Sequence, residues 1–272
     1  MKIIKDYLKK LFELINKEEM KVLPGHLAFF LILSLIPCIT LIGMLCNIFG
    51  ISVVDMVDFF SNIIPRGVAE VIDPFMKMTS KGSIIIYFLI GFILASNGAH
   101  AIISTSNTLY EIKGSNYIED RIKALFLIIL LMFLFIFILI VLAFGNIIVK
   151  FILSLEIFNN ISASVYNLFV FLKWPIAFFI IFIILKLIYT ITPDKKIASK
   201  SVTKGSIFTT VGWLFITAIY SYYANNIAHY DLFYGSLSNI VILMMWIYIV
   251  AYIFVIGIAI NVNNYMEENV TN

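Results

Sequence analysis

Charge is what this chain has least of. Asp, Glu, Lys and Arg make up 13% of its 272 residues, and apolar residues make up 62%. A soluble domain carries roughly 25% and 45–50%. The shortage is also uneven: residues 27–54, 83–110, 124–149, 205–230 and 232–266 contain no charged side chain at all. Five such runs in so short a chain leave too little amphipathic surface to cover them in water, which excludes a soluble fold.

Cysteine and histidine are scarce as well. Cys38 and Cys46 lie eight residues apart in one apolar run, about 12 Å along a helix, beyond the reach of a disulfide. They read as packing residues. Of the three histidines, His26 and His229 fall at opposite sides of a bilayer and His100 between them, so no three-histidine metal site forms. There is no phosphate-binding loop, no glycine-rich dinucleotide turn, no HExxH and no nucleophile elbow. Nor do paired carboxylates sit inside the apolar runs to hold magnesium. No enzyme activity, no cofactor, no metal and no nucleic-acid partner is therefore expected.

What is present is a series of membrane spans. A helix needs about 20 apolar residues to cross a core of about 30 Å, and each uncharged run is long enough. A further span lies between Lys173 and Lys186, opened by Trp174 and by Pro175 in the first-turn position where its missing N–H costs nothing. The lysine stems at its ends can snorkel. The expected fold is all-α, a polytopic membrane protein with six transmembrane helices near 27–49, 84–107, 125–149, 174–191, 206–227 and 238–262. Residues 1–26 form a cytoplasmic amphipathic segment, 27–262 the membrane domain and 263–272 a cytoplasmic tail. Orientation follows from lysine and arginine, which resist translocation. With both ends inside, fourteen of the nineteen lie on the cytoplasmic side and five outside. The first apolar run starts after residue 26 and is too long for a cleaved signal core.

Two segments are amphipathic. Ile3, Ile4, Tyr7, Leu8, Leu11, Phe12 and Ile15 recur at helical spacing between lysines, as in a helix on the anionic inner leaflet or one packed on the cytoplasmic loops. In the first outer loop, Arg66, Glu70, Asp73, Lys77 and Lys81 oppose Val68, Val71, Ile72, Phe75 and Met76. They fit interfacial helices capping the outer face, bent at Pro74.

Inside the spans, polarity concentrates on the second helix. Asn97, His100, Ser104, Asn107 and Glu111 are spaced 3, 4, 3 and 4, which places them on one face. Unpaired polar groups are costly in hydrocarbon, so this face meets protein or water. It is either the wall of a polar cavity opening to the cytoplasm, a substrate path, or interhelical hydrogen-bonding glue. No charged residue is expected deep in the membrane. In the first helix, Ser34 and Pro37 predict a kink, with the serine hydroxyl compensating a freed carbonyl. Tyr220, Tyr222, Tyr223, Tyr230 and Tyr234 read as an interfacial aromatic belt.

Four stretches carry a family resemblance: HLAFFLILSLIP at 26–37, SNTLYEI at 106–112, YTITPDKK at 189–196 followed by Gly205, and YGSLSNIVILMMWIYIVAYIFVIGIAIN at 234–261. With them the chain resembles the YihY/BrkB family of bacterial inner-membrane proteins, long labelled "ribonuclease BN". The resemblance implies six spans with cytoplasmic ends and a place in the bacterial cytoplasmic (inner) membrane. It carries over Ala28, Ser34, Pro37, Asn107, Tyr110, Arg121 before the third helix, Pro193, Tyr234, Gly235, Trp246, Gly257 and Asn261. Where the family usually has an intramembrane glutamate, this chain has Ala259, which weakens a proton-coupled mechanism; Glu111, at the cytoplasmic mouth, is the acid that could compensate. The family is linked to serum resistance and to movement of envelope lipids. The expected function is a transporter or flippase for a lipid or other amphiphile in envelope biogenesis; the alternative is a non-transporting scaffold for envelope assembly. Membrane lipids are the expected partners, with a homo-oligomer or envelope-assembly partners left open.

Overall fold

The computed structural model describes residues 12–48, 81–114, 116–138, 163–226 and 238–271, together with Lys9, Tyr234 and Gly235. Six long helices run through them: α1 (Glu18–Ile48), α2 (Lys81–Leu109), α3 (Tyr117–Ile138), α4 (Ala163–Ile191), α5 (Thr203–Asn226) and α6 (Ser238–Thr271). No strand occurs among the described residues. The outer-loop segment with Pro74, and Tyr230 of the aromatic belt, lie outside them.

Local signals explain the helix ends. Glu18 and Glu19 open α1, and Glu119 and Asp120 fall in the first turn of α3, where carboxylates meet the positive end of the helix dipole. α2 closes on a Schellman turn. Ile112 N–H donates to the Asn107 carbonyl at 2.9 Å and Glu111 N–H to that of Thr108 at 3.2 Å. Glu111 takes the left-handed position at φ 55°, one that usually falls to glycine.

Each helix packs on the next in chain order, and α6 returns to α1, closing a ring; α6 also touches α2. Small residues set the close approaches, as in membrane bundles generally. A Cβ on Gly98 would stand 3.1 Å from that of Ser34 and 3.4 Å from the Phe30 carbonyl. Gly205 and Gly257 do the same for α5 and α6: a Cβ on Gly205 would strike the Gly257 carbonyl. Trp213 Nε1 to the Val250 carbonyl (3.0 Å), Tyr220 Oη to that of Ile242 (2.8 Å) and Trp246 Nε1 to Thr217 Oγ1 (3.3 Å) lace the same pair. The outer surface is apolar, with Phe29, Ile93, Ile122, Phe133, Phe179 and Phe215 all at least half exposed. Such a surface belongs in lipid. By length and composition two helical segments, Leu89–Leu109 and Ile240–Glu268, suffice to cross a membrane among the described residues; α4 holds a shorter apolar stretch, Pro175–Ile191.

Several boundaries differ from expectation. α1 starts at Glu18 rather than 27, taking Pro24 and His26 with it. A short helical turn at 12–15 precedes it, with Leu14 in the core and Phe12 exposed. α4 begins at Ala163, so Pro175 sits in its interior and not in its first turn. The apolar, proline-free residues upstream extend the helix, and Pro175 leaves only one carbonyl without its N–H partner. α3 begins at Tyr117, so Arg121 is within the helix. α6 continues to Thr271, making most of the expected tail helical. Tyr220 is buried against α6 instead of lying in the belt.

Candidate functional site: the polar face of α2

α2 is polar along much of its second half, and the structure sorts those residues by exposure. Ser96, Thr105, Ser106 and Asn107 are buried, while Asn97, His100 and Ser104 are half-buried and Thr108 is exposed. The half-buried residues continue one helical face that begins with the more open Ile90 and Ile93, both about half-exposed. This face therefore passes from apolar to polar along its length, with spacings of 3 and 4 throughout. Gly98, next to Asn97, turns instead toward α1.

The five residues of the expected stripe do not act together. Asn97 Oδ1 accepts a hydrogen bond from Arg121 Nη1 at 2.9 Å, and the same nitrogen reaches Ser96 Oγ at 3.1 Å. Nη2 contacts Tyr117 Oη at 3.3 Å, and the guanidinium lies over the Tyr117 ring, 5.7 Å from its centre. A charge thus reaches the middle of α2, contrary to expectation, because a long arginine on the first turns of α3 extends along its neighbour. His100 has no polar partner among the described residues. Ser104 lends its backbone carbonyl to Thr108 Oγ1 at 2.8 Å.

Asn107 belongs to a clasp at the end of α2. Its Nδ2 donates to Asp194 Oδ2 at 2.5 Å, its Oδ1 accepts the Asp194 N–H at 2.9 Å, and Lys123 Nζ donates to Asp194 Oδ1 at 2.5 Å. Lys123 also donates to the carbonyls of Thr192 and Pro193, at 2.9 and 3.1 Å. The Asp194 side chain is 7% exposed. Buried and fully bonded, this group ties α2, α3 and the turn after α4 together and is not open to a substrate. Glu111 lies beyond the helix, and so off its face, and pairs with Lys17 at 2.7 Å. That hydrogen bond and charge hold its carboxyl below the usual glutamate range.

Other sequence candidates are structural. Ser34 Oγ donates to the Leu31 carbonyl at 2.9 Å, not to the carbonyl freed by Pro37, one turn before the proline at residue 33. Asn261 Oδ1 accepts the Gly205 N–H at 2.9 Å. A Cβ on Gly257 would collide with Thr209 Oγ1 and Tyr189 Oη. Tyr110 is packed edge-on against Tyr265 at 5.8 Å, and burial pushes its phenol up. Tyr234 and Gly235 are exposed, the latter at φ 52°. Lys123, Asp194 and Ser96 went unnoticed in the sequence. For Asp194 the one signal was an acid inside the basic YTITPDKK stretch.

The described residues, all-helical with an apolar outer face and small-residue helix contacts, define an integral membrane protein. The sequence matches the Virulence factor BrkB family over residues 11–271, and the chain belongs to that family. It is similar to the putative ribonuclease-like protein YfkH of Bacillus subtilis, 26% identical over 94% of each chain. It is also similar to a UPF0761 membrane protein of Vibrio cholerae, 24% identical over 93% of this chain and 84% of that one. A UPF0761 membrane protein of Vibrio campbellii is 21% identical over 92% of this chain and 79% of the relative. No solved structure matches.

Proposed function

We propose that the protein moves a phospholipid or a similar amphiphile across the bacterial inner membrane in envelope biogenesis, as a six-span bundle with both ends in the cytoplasm. The observation that carries this reading is the graded face of α2. Exposed Ile90 and Ile93 match an acyl chain, and half-buried Asn97, His100 and Ser104 match a headgroup, on one continuous strip. Polar groups on an otherwise apolar outer surface are costly unless something polar visits them. The segments that the charge count assigns to the cytoplasm also meet at one end, through Lys17–Glu111, Lys123–Asp194 and Ser201–Glu268. A cysteine replacing Lys196 that an impermeant thiol reagent labels in intact cells would contradict this orientation.

The scaffold reading draws support from Asn107, whose side-chain hydrogen bonds both go to Asp194 in another segment of the protein. A photoreactive group separates the two. Introduced at His100 in place of the imidazole, it should crosslink to phospholipid in membranes, whereas at buried Ile103 it should crosslink only to protein. Protein-only crosslinks at both positions would mean the face is covered and the lipid path does not exist.

A further inference from the structure

Arg121 carries a charge that the described residues do not neutralise. All of its polar partners are neutral oxygens: Ser96 Oγ, Asn97 Oδ1 and Tyr117 Oη. No carboxylate stands within ion-pair distance of it among the described residues. Lys123, two residues on, is treated otherwise, with Asp194 as its counter-ion. The contrast matters because a partly buried cation in low dielectric is stable only when paired.

The geometry leaves room for the pair to come from outside. Three of the five guanidinium N–H groups are used, and the remaining two suit a bidentate acceptor. Phosphate and carboxylate match that fork. Asn97 lies ten residues from Asn107, about 15 Å along the helix, or half of a hydrocarbon core of about 30 Å. The flanking surface is apolar and open: Ile93 and Leu94 on α2 and Ile122 on α3 are each about half-exposed or more. A free anion would have to cross hydrocarbon to reach this place; one tethered to acyl chains would arrive with them.

We propose that Arg121, held in place by Ser96, Asn97 and Tyr117, is the binding site for the phosphate of an anionic phospholipid headgroup at the seam between α2 and α3. This deepens the function proposed above and rests on its lipid path, but it makes a claim about binding that can be tested apart from movement. With the full-length protein in an uncharged detergent, dihexanoyl phosphatidylglycerol should bind about tenfold or more tightly than dihexanoyl glycerol, as a charge-assisted contact predicts. Arg121→Gln should erase the preference and Arg121→Lys should retain part of it. Asn97→Asp is the sharper variant. It keeps the hydrogen bond to Arg121 and so the packing, yet supplies an internal counter-ion, and should weaken the phospholipid while leaving thermal stability unchanged or raised. Failure of inorganic phosphate at equal concentration to displace the lipid assigns the site to a lipid headgroup; ready displacement would overturn that assignment in favour of free phosphate. Equal binding of the two dihexanoyl compounds by the native protein, or an unchanged preference in Asn97→Asp, overturns the proposal. Selective binding without lipid movement in vesicles would leave this site standing and remove the transport reading.

Discussion

Asp194 shows at the scale of single residues how the chain spends its few charges. It accepts from Asn107 and Lys123 together while almost wholly out of solvent, so its removal leaves a partly buried ammonium without its anion. Asp194→Asn should destabilise the detergent-solubilised protein by about 2–3 kcal/mol, measured by denaturant unfolding; stability within a few tenths of wild type would show that the clasp is solvated after all. Lys17–Glu111 is the opposite case, an exposed pair that salt screens and that adds little. Since the Glu111 carboxyl is held low, its contribution is present above the unfolded glutamate value and is lost only as pH falls through the lowered one. The polar stripe of α2 was legible in the sequence because a 3–4 spacing fixes a face whatever surrounds it. Their separate fates were not, because Asn107 meets a partner 87 positions away and Lys123 one 71 away. No periodicity encodes such distances.

At the scale of elements, the crossing of α5 and α6 rests on two glycines that the sequence marked only through family resemblance. Gly257 faces Thr209 and Tyr189, which hydrogen-bond one another at 2.7 Å, and Tyr189 Oη also donates to the Phe254 carbonyl at 2.9 Å. A methyl group there has to break that network. Gly257→Ala should cost about 1–3 kcal/mol by overpacking. Gly25→Ala is its control, since a Cβ there meets only Tyr248 at 4.0 Å; it should be neutral or stabilise by about 0.5–1 kcal/mol, as glycine-to-alanine changes inside helices do. Thermal unfolding of the two variants side by side decides the matter, and equal melting would refute the close crossing. Apolar run length placed one expected span on each of the six long helices among the described residues. It misplaced their ends because interfacial turns such as Glu18–His26 are helical without being apolar, and because Pro175 was read as a start signal although a membrane helix can carry proline in its interior.

On the scale of the whole molecule, polar clasps bind one end of the described bundle, and small-residue contacts and the hydrogen bonds between α5 and α6 join its helices beneath an apolar exterior. The class of protein was visible from composition alone, since so few charges cannot clothe a soluble fold. Closure of the ring by α6 against α1 was not visible, because chain order does not say which distant helices meet. A bundle with these clasps and a graded strip along α2 fits the proposed passage of a headgroup along its edge while the acyl chains stay in lipid. The most direct measurement is transbilayer movement in vesicles of phosphatidylcholine and phosphatidylglycerol containing the purified protein and a fluorophore-labelled phosphatidylglycerol, read by adding an impermeant quencher. Quenching well beyond the outer-leaflet share is expected with the native protein, and a large slowing with His100→Leu, whose side chain is half-buried and without a polar partner among the described residues, so the fold should survive the change. Quenching that stops at the outer-leaflet share for the folded native protein, or movement at the native rate in the His100→Leu variant, would contradict the proposed function.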